Sequence, residues 1–215
     1  MLRKRGLIHR AIWLFGACCM AGFLLESMES FASLGYVENR QGLLYGPFTP
    51  IYGVGALAMV LFRPLLKNRS WPTVIAAAAV VGTAVEYLWG WAAEALFGTL
   101  FWDYRHFPLQ LDGRVNLLFT LFWGVLGGIL LKVVYPPFCH FIAGLHRGGR
   151  SLVTWVLIFL MAANVTLSAF AFTRQRQRQR QEAVSAASPL EVFLDQTYPD
   201  QWMRETFPGM RLLED

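Results

Sequence analysis

Five apolar runs, each long enough to cross a bilayer, take up most of the chain and leave little else to fold. A helical span needs about twenty mainly apolar residues, and the runs cover about 7–33, 48–66, 73–97, 116–135 and 151–173. Hydrophobic residues make up 55% of the 215 and charged residues 15%, against about 25% charged in an ordinary soluble domain. The predicted fold is therefore all-α: a polytopic transmembrane helix bundle of about five spans with a short polar C-terminal tail, embedded in a lipid bilayer. Residues 1–150 form the main transmembrane domain, 151–173 a fifth helix, and 174–215 an Arg/Gln-rich tail.

The first run is not a cleavable signal peptide. It continues past Cys19 through Phe23, Leu24 and Leu25, with no small-residue site closing a short apolar stretch. The net charge of +5 comes mainly from short segments between the apolar runs, which marks topology and contact with anionic headgroups rather than nucleic-acid binding. Arg3, Lys4, Arg5 and Arg10 precede the first span, Arg63, Lys67 and Arg69 follow the second, and Arg147 and Arg150 follow the fourth. By the positive-inside rule the N-terminus is cytoplasmic, and the first and third connections lie outside. One segment opposes this scheme. Five spans put the tail outside, yet it opens with Arg174, Arg176, Arg178 and Arg180, and residues 174–188 read as a solvated linker. Beyond the linker the tail is too short and polar for a core of its own, so it is expected to pack on the membrane face or on a partner.

Cys18, Cys19 and Cys139 show no metal or disulfide spacing and read as buried small apolar residues. The informative residues are four glutamates inside apolar helices: Glu26, Glu29, Glu86 and Glu94. An acid in hydrocarbon costs a few kcal/mol on insertion scales, so it faces the bundle interior and has a partner. Glu26, Glu29, Ser30 and Ser33 fall on one helical face, and Glu86, Gly90 and Glu94 lie four apart. Gly90 would let another helix approach. Arg40, Arg105 and Arg114, in the outer connections, are the expected counter-charges. Asp103, flanked by Trp102 and Tyr104, is a further candidate for a polar site. Acid-bearing helix, outer connection and return helix occur twice, without a residue-level repeat that the sequence makes convincing.

The ordered segments GFLLE, ENRQGLLYGPFTPIYG, EYLWGWAAEALFG, FWDY, DGR and LFWG resemble a bacterial family, the ABC-transporter type IV (CmpB-like) permeases, over about residues 10–140. Matching positions include Glu26, Asn39, Arg40, Tyr52, Glu86, Glu94, Trp102, Asp103, Tyr104 and Arg114. The chain departs from the pattern at Gln41, which interrupts the run into YGP, and at Gln110 and Asp112, where asparagines are usual. The resemblance implies a bacterial cytoplasmic-membrane location and a role as a transporter's membrane component. No GxxxxGK[ST] loop is present, so a separate ATPase subunit would supply the energy. A coupling segment would then lie in the second or fourth connection. Together, Glu26, Glu29, Asn39, Arg40, Tyr52, Glu86, Glu94, Asp103 and Arg114 form the predicted polar cavity. Two alternatives stand beside transport: a metal-dependent intramembrane enzyme, in which Glu26, Glu29 and Glu94 hold a divalent cation through oxygen, and a scaffold in which the acids are structural. Assembly as a homo-oligomer is left open.

Overall fold

The computed structural model describes residues 2–180 and 188–212. Four of its helices contain stretches long and apolar enough to cross a membrane: Gly6–Leu34, Trp71–Phe97, Leu117–Gly144 and Gly148–Gln179. A fifth apolar helix, Pro50–Leu66, has 17 residues, the short end of the spanning range of about 17–25. The protein is a multi-pass, essentially all-helical membrane protein. Its outward side chains agree: Leu61, Val80 and Phe159 are 78%, 71% and 72% exposed, a surface that lipid rather than water must cover.

Helix boundaries follow local chemistry. Helix α1 covers Leu2–Leu34. Helix α2, Pro50–Leu66, starts with proline, whose missing N–H is not needed in the first turn. Helix α3, Trp71–Phe97, ends at Gly98, which takes the left-handed conformation (φ 58°) and donates to the Glu94 carbonyl at 2.9 Å. Helix α4, Leu117–Ile129, is capped by the Asn116 side chain, which accepts from the Phe119 amide at 2.9 Å.

The fourth span extends beyond its expected end. The sequence closes it at Pro136-Pro137, but the helix passes through a π turn at Leu130–Val134 and continues as α5, Tyr135–Gly144. The Tyr135 amide donates to the Leu130 carbonyl. A widened turn accommodates rings that would collide with the preceding carbonyls of a regular helix, and the prolines then occupy the next helix's first turn.

The linker reading is also corrected. Helix α6, Arg147–Gln179, runs through most of the arginine-rich segment, and Arg174 is only 4% exposed. Residues 181–187 of the expected linker lie outside the described residues. The tail resumes with α7, Pro189–Thr197, opened by a reciprocal cap between Ser188 and Glu191, followed by α8, Asp200–Thr206. Its acids neutralise the arginines. Arg174 forms a two-point contact with Asp195 (3.0 and 2.8 Å) and reaches Glu191. Arg178 bridges Asp195 and Asp200 at 2.6 and 2.7 Å.

The tail folds back onto the end of the bundle that carries the first and third connections. Strand β1 (Thr99–Leu100) pairs antiparallel with β4 (Arg211–Leu212) at the end of the tail, and β2 (Gln110–Leu111) with β3 (Val115–Asn116). Leu44, Phe172, Leu194, Tyr198, Met203 and Phe207 bury one another there. A second apolar cluster, with Met59, Val74, Ala78 and Trp123, holds α2, α3 and α4 together at mid-bundle.

Candidate functional site

A cavity of about 340 Å³ opens inside this frame, between the α1–α4 bundle, the C-terminal half of α6 and the tail. Glu26 enters it from α1, Tyr52 from the first turn of α2, Glu86 from α3 and Trp123 from α4. The Tyr52 hydroxyl donates to Glu26 Oε1 at 2.8 Å. The Trp123 indole donates to Glu86 Oε2 at 3.2 Å, and the Tyr104 hydroxyl to Glu86 Oε1 at 3.0 Å. Burial and the facing carboxyls of Glu86 and Glu26 push the Tyr104 hydroxyl well above its ordinary range, so it keeps its proton and remains a donor. The Tyr52 and Trp123 rings touch, with centroids 5.1 Å apart.

Each aromatic is seated by a glycine. A Cβ on Gly22, four residues before Glu26, would overlap the Tyr52 ring; one on Gly82, four residues before Glu86, would lie 2.6 Å from the Trp123 Cβ. The glycine after each aromatic completes the interlock. Gly53 closes on Cys19 and Phe15 of α1, and Gly124 on Ala79 and Ile75 of α3. Cys19 and Phe15 stand three and seven residues before Gly22; Ala79 and Ile75 stand three and seven before Gly82. The α1–α2 and α3–α4 hairpins are thus built on one residue pattern: G-x-x-x-E on the first helix and aromatic-Gly on the second. The sequence carried that signal in GFLLE against GTAVE and IYG against FWG. It could have been found by aligning the hairpins on their acids.

The remaining predicted residues separate into different places. Asn39 and Arg40 line the cavity, with Arg40 paired to Glu38 at 2.9 Å. Glu29 does not join them: it is exposed on α1 while Ser30 is buried and accepts from the Glu38 amide. Helical spacing places Glu29 near Glu26, but the first connection packs over only part of that face. Glu94 is outside the cavity, held by Arg114 through bonds of 2.9 and 2.7 Å. The Arg114 stem lies over Gly90, so that glycine admits a side chain and not a helix. Asp103 accepts from the Arg105 amide at 3.0 Å and shapes the third connection without lining the cavity. The three carboxylates considered for a divalent cation are therefore not brought together, and among the described residues no three His, Cys, Asp or Glu side chains form a metal-sized group.

A family model described as "Putative ABC-transporter type IV" matches residues 13–169. The chain belongs to that family. Comparisons with curated proteins and with solved structures find no match. In this type IV family member, the matched stretch contains both interlocked hairpins and the first two thirds of α6, while the arginine-rich end of α6 and the tail lie beyond it. Sequence reasoning missed Trp123, Ser168, Phe172 and Phe207 as cavity residues. Ser168 carries the nearest thing to a signal, one of several hydroxyls spaced along an apolar helix, and it accepts from the Leu44 amide at 3.0 Å.

The Glu94–Arg114 pair gives a stability test. Each side chain is 17% exposed, so Arg114→Ala leaves a mostly shielded carboxylate unpaired. The expected cost is about 2 kcal/mol, below the range for fully buried pairs, seen as a lower melting temperature in detergent. Arg114→Ala combined with Glu94→Gln should recover part of the loss. A single variant that melts like the parent chain would show that the pair contributes nothing.

Proposed function

We propose that the chain is the membrane-spanning component of a bacterial ABC-type transporter, and that the Glu26–Glu86 cavity is its solute site. The observation that carries this reading is a pair of acids, from two similarly built hairpins, facing one roofed cavity within an apolar bundle. Intramembrane acids cost free energy to bury, and a cavity they share gives that cost a function. Its volume falls in the range of about 300–1,000 Å³ typical of small-molecule sites. The first and third connections and the tail would face outward, and the basic end of the bundle inward.

Energy would come from a separate ATPase subunit, since the chain has no phosphate-binding loop of the GxxxxGK[ST] type. The inward connections are short: residues 67–70 join α2 to α3, and residues 145–146 join α5 to α6. That leaves α5, set off by the π turn, as the element best suited to receive a pushing partner. At the same end, Arg63 stacks over the Tyr135 ring at 5.1 Å and Lys132 donates to the Arg69 carbonyl.

Affinity purification from native membranes in mild detergent should bring down a Walker-motif ATPase in stoichiometric amount. Purification of the chain alone, across several mild detergents and after cross-linking, would overturn the permease assignment.

A further inference from the structure

We propose that the cavity takes an organic cation: an ammonium group held between Glu26 and Glu86, with an apolar body lying against the aromatic wall. The proposal deepens the solute-site reading and rests on it.

Charge pairing is the first support. Glu38, Glu94, Asp103, Asp112, Glu191, Asp195 and Asp200 each have an arginine within 4 Å. Glu26 and Glu86 have no such partner among the described residues. They accept instead from Tyr52, Tyr104 and Trp123. Neutral donors orient a carboxyl without cancelling its charge. Glu29 and Glu205 also lack an arginine within 4 Å, but both are exposed on the surface. Glu26 and Glu86 line the cavity, and among the described residues its one lining cation, Arg40, acts on Glu26 only from beyond ion-pair distance.

The walls fit the same ligand. Tyr52 and Trp123, each bonded to one of the two carboxyls, pack ring against ring, and Trp89 and Trp102 also face the cavity. Aromatic faces attract ammonium groups, most strongly where water is excluded. The repeated interlock presents the two carboxyls as similar half-sites on one cavity beside the ring pair, which suits one compact positive charge. An inorganic divalent cation suits it less well, because calcium takes six to eight oxygens and the two acids offer at most four. Arg40 is the lining cation, and Glu38 already engages it.

A matched probe series tests the class: 2-phenylethylamine, 2-phenylethanol and phenylacetate, titrated at pH 7 by calorimetry onto the full chain in nanodiscs. The ammonium compound is expected to bind, and the alcohol and carboxylate at least tenfold more weakly. Glu26→Gln and Glu86→Gln should each weaken the ammonium compound tenfold or more, while Glu29→Gln leaves it unchanged. Glutamine retains one acceptor oxygen, enough for Tyr52 at position 26 and for Trp123 at position 86, where its amide N–H can donate to the Tyr104 hydroxyl oxygen. Equal binding of the alcohol, or tighter binding of the carboxylate, would overturn the cation assignment while keeping the cavity as a site. Binding of the amine that survives both glutamine variants would place it elsewhere and overturn the proposal, as would no binding of any probe. The transport reading is decided separately by ATPase co-purification, and the probe series on the native chain needs no variant to fold.

Discussion

A Gly22→Leu or Gly82→Leu chain is expected to lose its paired hairpin and to melt well below the parent protein. Gly22 lies directly under the Tyr52 ring, and Gly82 within 2.6 to 2.9 Å of Trp123 atoms once a Cβ is added. The obstructing atoms include Cβ and Cγ, the stiff base of each aromatic, so relief requires moving the helix that bears it. Forced overpacking costs about 1–3 kcal/mol for small additions and more for large ones. Alanine gives a sharper test of sign. In a helix interior it is favoured over glycine by about 1 kcal/mol, so propensity alone predicts stabilisation at Gly22, Gly82 and Gly16 alike. Gly16 has no heavy atom within 4 Å of an added Cβ. Melting in detergent should therefore stay level or rise for Gly16→Ala and fall for Gly22→Ala and Gly82→Ala. Three equal shifts would show that the interlock is not a tight contact.

Truncation after Arg180 should have an effect of similar size. The shortened chain uncovers Leu44 and Phe172, buried at 2% and 4% exposure, and removes Asp195 and Asp200 from Arg174 and Arg178. Re-exposing two large apolar side chains costs about 3–6 kcal/mol, or roughly 10 °C at about 2–4 °C per kcal/mol. The same cut removes Phe207, Gly209 and Met210 from the cavity wall. Acrylamide quenching of the cavity tryptophans should rise severalfold. An unchanged melting temperature together with unchanged quenching would show that the tail neither stabilises nor covers the bundle. Docking should be insensitive to mild acid. Hydrogen bonds from Arg174 and then Arg178 hold the Asp195 carboxyl below its ordinary value of 3.8. A depressed acid contributes stability above its unfolded value and loses it as pH falls through the folded one. The tail should therefore stay docked from neutral pH to about pH 5.

The bundle was legible because its signal is cumulative: long apolar runs give helices whatever their neighbours do. The positions of Glu26 and Glu86 were legible too, since a buried acid stands out against Leu and Val. Other features depended on contacts no local pattern encodes. Spacing alone put Glu29 with Glu26, but packing of the first connection around Ser30 divides that face. Pro136-Pro137 read as a stop because proline breaks a regular helix, and the π turn that admits them has no composition of its own. The arginine-rich segment read as solvated because its partners come after an intervening stretch of chain.

That order of synthesis has a consequence for biogenesis. Arg174 is made 21 residues before Asp195, to which it binds. Until Glu191, Asp195 and Asp200 are made, the last turns of α6 carry positive charge that these partners do not offset. The ion pairs that bury this end of the helix therefore cannot form before those residues are in place. A reporter fused just after residue 180 would lack the acids that pair with Arg174 and Arg178, and would therefore sample a different molecule from one fused after residue 212.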